Sequence, residues 1–213
     1  MAAMITVSAV TDPTADKPRE GLRVLLIADT DPKLPGGLNA YIADQQVDIV
    51  ITAGDLHAGM LTGIAEQPMA MGVYGNHCNG TYLDELGMMN LHRRRVEVTG
   101  ITFVGVEGCV RYKDDPYDIL YTQDEYRDIV AELPGADVLV THCPPLGVND
   151  HDDPAHTGIA ALRDWVHRHQ PSLIVHGHTY PDQPETRFGT AHVAYVRGAR
   201  MLDLTPRRHG AVQ

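Results

Sequence analysis

At 213 residues, 43% hydrophobic and 21% charged, the chain has the make-up of one soluble globular domain with room for a two- or three-layer core. Its formal net charge of −11 excludes general attraction to nucleic acid or to an anionic membrane surface. Cys78, Cys109 and Cys143 are odd in number and lack CxxC spacing, which excludes a disulfide framework and predicts a reducing, cytoplasmic setting. No apolar run nears the ~20 residues that a membrane span needs, and no basic-then-apolar start marks a signal peptide.

Residues 1–21 are polar, carry two prolines and show no periodicity, so they predict a flexible, loosely attached leader. Residues 22–28 predict a first strand, closed by the turn Asp29-Thr30-Asp31-Pro32, and residues 37–46 a helix. The organising stretch is 47–55, VDIVITAGD, a short β-branched run that stops at Gly54-Asp55. It reads as a buried parallel strand with a carboxylate at its C-terminal tip. A short helix over 60–66 and a weaker strand over 68–74 follow, the latter ending at Asn76-His77. Residues 80–86 predict a brief helix, and 96–98 with 101–106 a hairpin turning at Thr99-Gly100.

Residues 108–121, rich in Asp, Tyr and Arg, read as a loop, and 123–133 as a helix stopped by Pro134-Gly135. A strand over 138–141 ends at His142, and 144–153 is a loop by its Pro, Gly, Asn and Asp content. Pro154 or Thr157 opens a helix with Ile159, Leu162 and Val166 on one face, closed by Gln170-Pro171. A strand over 173–175 leads to His176-Gly177-His178, two or three edge strands fill 186–204, and 206–213 is a polar tail. There is no repeat, so residues 22–205 form one domain. The pattern is α/β with some antiparallel strands.

In open α/β sheets ligands collect beyond the carboxyl ends of the strands. Five strand tips here deliver Asp29, Asp55, Asn76, His142 and His178 to one edge. A mixed carboxylate, amide and imidazole set suits transition metals better than a calcium cage. Asp55 is the one candidate central enough to bridge two ions ~3.5–4 Å apart. Taken singly, each has a plainer reading: Asp29 and Asp55 as turn caps, Asn76 as a turn closer, the histidines as buried and hydrogen-bonded. His176 alternates with His178 and belongs to the core or behind the ligands. His156 and His151 lie in the loop after His142, either lining a substrate pocket or solvated. Arg111 and Tyr112 lie in a loop that either crosses the cleft, with Arg111 on a phosphate oxygen, or is plain surface.

The ordered motifs Asp29, Gly54-Asp55, Gly75-Asn76-His77, Thr141-His142 and Gly177-His178 resemble the calcineurin-like metallophosphoesterase family over about residues 22–204. A smaller prokaryotic, single-domain group is also similar in VEGCVRYKDDPYDILYTQDE and THCPPLGVNDHDDPAHTG. The resemblance implies a four-layer α/β/β/α sandwich with mixed β-sheets and two divalent or transition metal ions (Mn, Fe, Zn or Ni). It implies Asp29 on the first metal, Asp55 bridging, and Asn76, His142 and His178 on the second. His77 would then act on the phosphoryl oxygen or the leaving group.

Three departures stand out. Asp31 replaces a usual histidine, Tyr180 replaces the last histidine of GHxH, and Cys78 replaces an acid that orients the catalytic histidine. The first two fall on the first metal. Either Asp31 and Tyr180 are substitute ligands, or they point away from a loosely held ion, or that position is empty. The expected function is metal-dependent hydrolysis of a phosphodiester or small phosphomonoester, with a small phosphate ester as partner and a homo-oligomer left open. The alternative is a metal-depleted protein-binding or regulatory scaffold.

Overall fold

A computed structural model of the chain describes residues 5–10, 20–64 and 69–206. The strands are β1 (Ile5–Ala9), β2 (Leu22–Ala28), β3 (Ile49–Ala53), β4 (Ala70–Val73), β5 (Met89–Asn90), β6 (Arg95–Val98) and β7 (Ile101–Val106). They continue with β8 (Cys109–Val110), β9 (Leu120–Tyr121), β10 (Val138–Thr141), β11 (Leu173–His176), β12 (Glu185–Phe188), β13 (Ala191–Tyr195) and β14 (Gly198–Pro206). The helices are α1 (Leu38–Asp44), α2 (Tyr82–Glu85), α3 (Gln123–Ala131) and α4 (Ala160–His169), with a 3-10 turn at Ala58–Leu61.

Two six-stranded sheets carry the fold, in the orders β1-β14-β2-β3-β4-β5 and β12-β13-β11-β10-β7-β6. In the first, β2 to β5 run parallel, β14 pairs antiparallel with β2, and β1 antiparallel with β14; in the second, β7, β10, β11 and β13 run parallel. Strands buried on both faces read as continuous apolar runs, and β2, β3, β10 and β11 are buried throughout. The pleat sorts their side chains. Leu26, Ile51, Phe103, Val140 and Val175 meet between the sheets. Leu25, Ile27 and Val50 face outward onto Ile42, Leu61 and Tyr82, and Leu139, Ile174 and Val193 onto Tyr126, Leu162 and Trp165. The result is the four-layer α/β/β/α sandwich. Among the described residues no helix is long and apolar enough to cross a membrane.

Several expectations need correcting. Residues 5–9, read as part of a leader, form β1, which pairs with β14 and buries Ile5; the partner that makes it a strand lies about 200 positions away. The final strands are not all edges: β12 is one, β13 lies inside the second sheet, and β14 crosses to the first between β1 and β2. The 108–121 loop is pinched at its base by β8 pairing with β9. The helix expected from Pro154 or Thr157 starts only at Ala160. Asp150 and Asp153 take the intervening amides, accepting from Gly147, Gly158, Ala155 and His156 at 3.0–3.3 Å, and so hold that backbone out of a helix. By contrast α3 starts where its sequence says, on a capping box of Thr122 and Glu125.

Trp165 is fully buried and its indole N–H donates to the Leu133 carbonyl at 3.1 Å, tying α4 to the end of α3. Trp165→Phe should therefore cost about 1–3 kcal/mol, from an orphaned carbonyl and lost volume, read as a lower urea midpoint. Metal content should be unchanged, because this layer lies behind the second sheet.

Candidate metal centre

The two sheets present their carboxyl edges side by side, and each tip bends sharply. Asp29, Asp55 and His178 sit in the left-handed region, at φ +63, +52 and +70. Non-glycine residues there cost roughly 1–3 kcal/mol each, strain that collects where side chains must be aimed. Asp29 N–H donates to the Gly54 carbonyl at 3.1 Å, which locks the β2 and β3 tips together.

Glycines make the convergence possible. A Cβ on Gly54 would lie 2.6 Å from His142 Nδ1, one on Gly75 2.2 Å from Asp55 Oδ1, and one on Gly177 2.5 Å from Asp29 Oδ1. Each glycine precedes one site residue and leaves room for the side chain of another.

His142 is wholly buried at the centre. Its Nδ1 lies 2.8 Å from the Ala53 carbonyl, and its Nε2 lies 3.0 Å from Asn76 Oδ1 and 3.4 Å from Asp55 Oδ2. Both ring nitrogens thus face oxygens. Burial opposes charge on this ring, but the Asp55 and Asp29 carboxylates and the Ala53 carbonyl outweigh it and raise its pKa. For Asp55 burial likewise pushes upward, yet the His142 charge and hydrogen bond and the His77 amide bring its carboxyl down to about 2. At Asp29 burial wins: its carboxyl rises to about 6, with Asp55 adding to the rise, against the pull of His142, the His178 amide and Arg197. Two carboxylates and an imidazole within 4.8 Å of one another, in so little water, call for a positive charge.

His178 joins through its backbone N–H, 3.2 Å from an Asp29 oxygen, and its ring lies 5.0 Å from that of His142. Burial and the His142 charge bring its pKa down to about 3, so it is a neutral donor. Its Nε2 meets the Ala155 carbonyl at 2.8 Å, which fixes the ring beside His142. Donor atoms about 3 Å apart are spaced as neighbours around one ion with ~2.0–2.2 Å bonds. Among the described residues Asp29, Asp55 and His142 could hold an ion together, with Asn76 Oδ1 beside the His142 ring. His176 is buried and pairs with Asn149 at 2.9 Å, away from this cluster.

The other candidates are not all brought together. Asp31 is exposed, carried outward by the turn at Asp29 and by Pro32. Tyr180 is 57% exposed and packs on the Arg197 guanidinium, 5.1 Å from its ring centre. Asp31 is not part of the group that Asp29, Asp55 and His142 form, and Tyr180 rests on Arg197. Arg111 is engaged elsewhere, donating to the Leu120 carbonyl at 2.8 Å beside Glu125. His156 does lie at the site, its ring 5.2 Å from that of His178 and held by Asp153. Sequence reasoning missed Asp118, whose carboxylate lies 3.4 Å from His77 Nδ1. No periodicity or motif in the loop singles it out.

A family model described as calcineurin-like phosphoesterase matches residues 22–182. One crystal structure aligns with TM-score 0.59 at 15% identity, covering 82% of this chain and 90% of its own. The protein TT1561 of Thermus thermophilus aligns with TM-score 0.57 at 16% identity, covering 82% and 88%. At such identities they speak for the fold alone. Among curated proteins nothing matches.

Gly54 has φ +94 and no space for a methyl group. Gly54→Ala should displace His142 and weaken divalent-metal binding by at least about tenfold in titration calorimetry, while circular dichroism keeps both sheets. Unaltered affinity would show that the tip tolerates the shift.

Proposed function

The chain belongs to the calcineurin-like phosphoesterase family, whose members in general hydrolyse phosphate esters with divalent metals, and on that premise we propose that it hydrolyses a phosphodiester or a small phosphomonoester. The observation that carries this reading is that Asn76 Oδ1 and Asp55 Oδ2 both lie within 3.4 Å of His142 Nε2. Asp55, Asn76, His142 and His178 would hold one cation, with Asp29 and Asp55 left for a second. A bound cation supplies a water of lowered pKa and draws charge from the phosphoryl oxygens.

The chain's own groups do the rest. The Ala53 carbonyl holds the His142 ring in place, and the Ala155 carbonyl does so for His178. The His77 amide donates to Asp55 Oδ1 at 2.8 Å, fixing that carboxylate while its own side chain, 57% exposed, stands at the rim. From there the ring can hydrogen-bond a phosphoryl oxygen or give a proton to the leaving oxygen. The net charge of −11 favours a small ester over a polyanion.

A second reading, a metal-depleted scaffold, is favoured by one observation: Asp31 and Tyr180 stand outside the cluster. Elemental analysis of protein purified without chelator separates the two, together with assays on nitrophenyl phosphate mono- and diesters with Mn, Ni, Fe, Co and Zn. Bound metal with turnover supports the enzyme. No metal and no turnover with any of the five supports the scaffold.

Asp55→Asn should abolish turnover and release metal from a folded chain; unchanged activity would sink the site assignment. His77→Ala should keep its metal and lose roughly 10²–10⁴-fold in kcat.

A further inference from the structure

We propose that Asp118 is the positioning residue of His77, a carboxylate delivered by the 108–119 loop in the role that Cys78 cannot fill. The inference rests on the phosphoesterase reading for what His77 does, and on geometry alone for how Asp118 holds it. His77 has its backbone fixed on Asp55, but its ring is exposed, and an exposed imidazole turns freely unless one nitrogen is anchored. Cys78 offers no anchor. Its side chain is turned inward, 2% exposed, and its sulfur takes the Gly75 N–H at 3.1 Å, closing the tip turn.

Asp118 is placed for the purpose by three contacts. Ile119 N–H donates to the Asn76 carbonyl at 3.0 Å, so the residue after Asp118 is latched to the residue before His77. Gly108 N–H donates likewise to the Tyr74 carbonyl at 3.0 Å, fixing the other end of the loop to the same tip. Lys113 Nζ lies 2.7 Å from Asp118 Oδ2 and 3.1 Å from Asp115 Oδ2, bracing the carboxylate from the solvent side. The Asp118 side chain is 10% exposed, and each of its oxygens lies 3.4 Å from His77 Nδ1.

That separation is long for a hydrogen bond, as such bonds often are before substrate tightens a site. An Nδ1 proton given to Asp118 turns Nε2 toward the cleft, where a phosphoryl or leaving-group oxygen would sit. An incidental surface ion pair between Lys113 and Asp118 would have no such consequence for the ring.

The test uses the full chain loaded with zinc, which leaves nitrogen spectra readable. Asp118→Asn keeps the shape and removes the charge. It should lower kcat roughly 10–100-fold with KM and zinc content unchanged, Asp118→Glu should recover part of the loss, and in a His77→Ala background Asp118→Asn should change kcat by less than about twofold. A kcat loss that persists in full without His77, or no loss at all, overturns the proposal. Nitrogen-15 spectra of the His77 ring supply a reading independent of turnover. Asp118→Asn should shift the proton population away from Nδ1, and an unchanged ring would overturn the contact itself. A ring that responds in a protein hydrolysing no phosphate ester upholds the orienting contact and overturns the hydrolytic reading instead.

Discussion

A buried hydrogen bond between the working edges of the two sheets comes from His142, at the tip of β10, which gives its Nδ1 proton to the carbonyl of Ala53, the last residue of β3. Its net worth is only about 0.5–1.5 kcal/mol, but leaving either group unpaired in this burial would cost ~1–3 kcal/mol, so the geometry has little freedom to drift. Because that nitrogen is committed, the other must face Asn76 and Asp55. That contact fixes the ring's orientation, and the His178 amide on Asp29 adds a second tie between the two edges.

The space for this assembly comes from what the tips omit. Gly54, Gly75 and Gly177 stand where a methyl group would strike a neighbouring donor, and the residues after Gly54 and Gly177 accept left-handed backbone to point inward. Strain of that size is sustained because the strands leading to the tips are buried end to end. The same burial keeps the charge balance tight, with the Asp29 carboxyl raised, Asp55 lowered and the His142 ring raised by its two carboxylate neighbours. A pocket so arranged is already organised for a cation, so little reorganisation is needed when one binds.

Two loops add residues beside the site. The loop after β10 uses Asp150 and Asp153 to tie down its own amides, which sets the Ala155 carbonyl on His178 and the His156 ring beside it. The loop after β7 is pinched by β8 and β9 and latched to the β4 tip, which sets Asp118 beside His77. In both, side-chain and backbone hydrogen bonds do for a loop what packing does for a strand.

The amino-acid sequence by itself determined the strands and the residues at their tips. Apolar runs such as LRVLLIA and VLVT, each ended by a polar residue, announce buried parallel strands through local composition alone, and the capping box of α3 is equally local. Asp29, Asp55, Asn76, His142 and His178 were legible for that reason. Tertiary structure decided everything that depends on a distant partner. It made ITVSA a strand by supplying β14, and it sent β14 to the first sheet. It turned Asp31 and Tyr180 outward, occupied Arg111 with the Leu120 carbonyl, and brought Asp118 across 41 positions to His77. Periodicity records which face of an element is apolar; only packing decides which side chains then meet, because a loop carboxylate has no period to betray its partner.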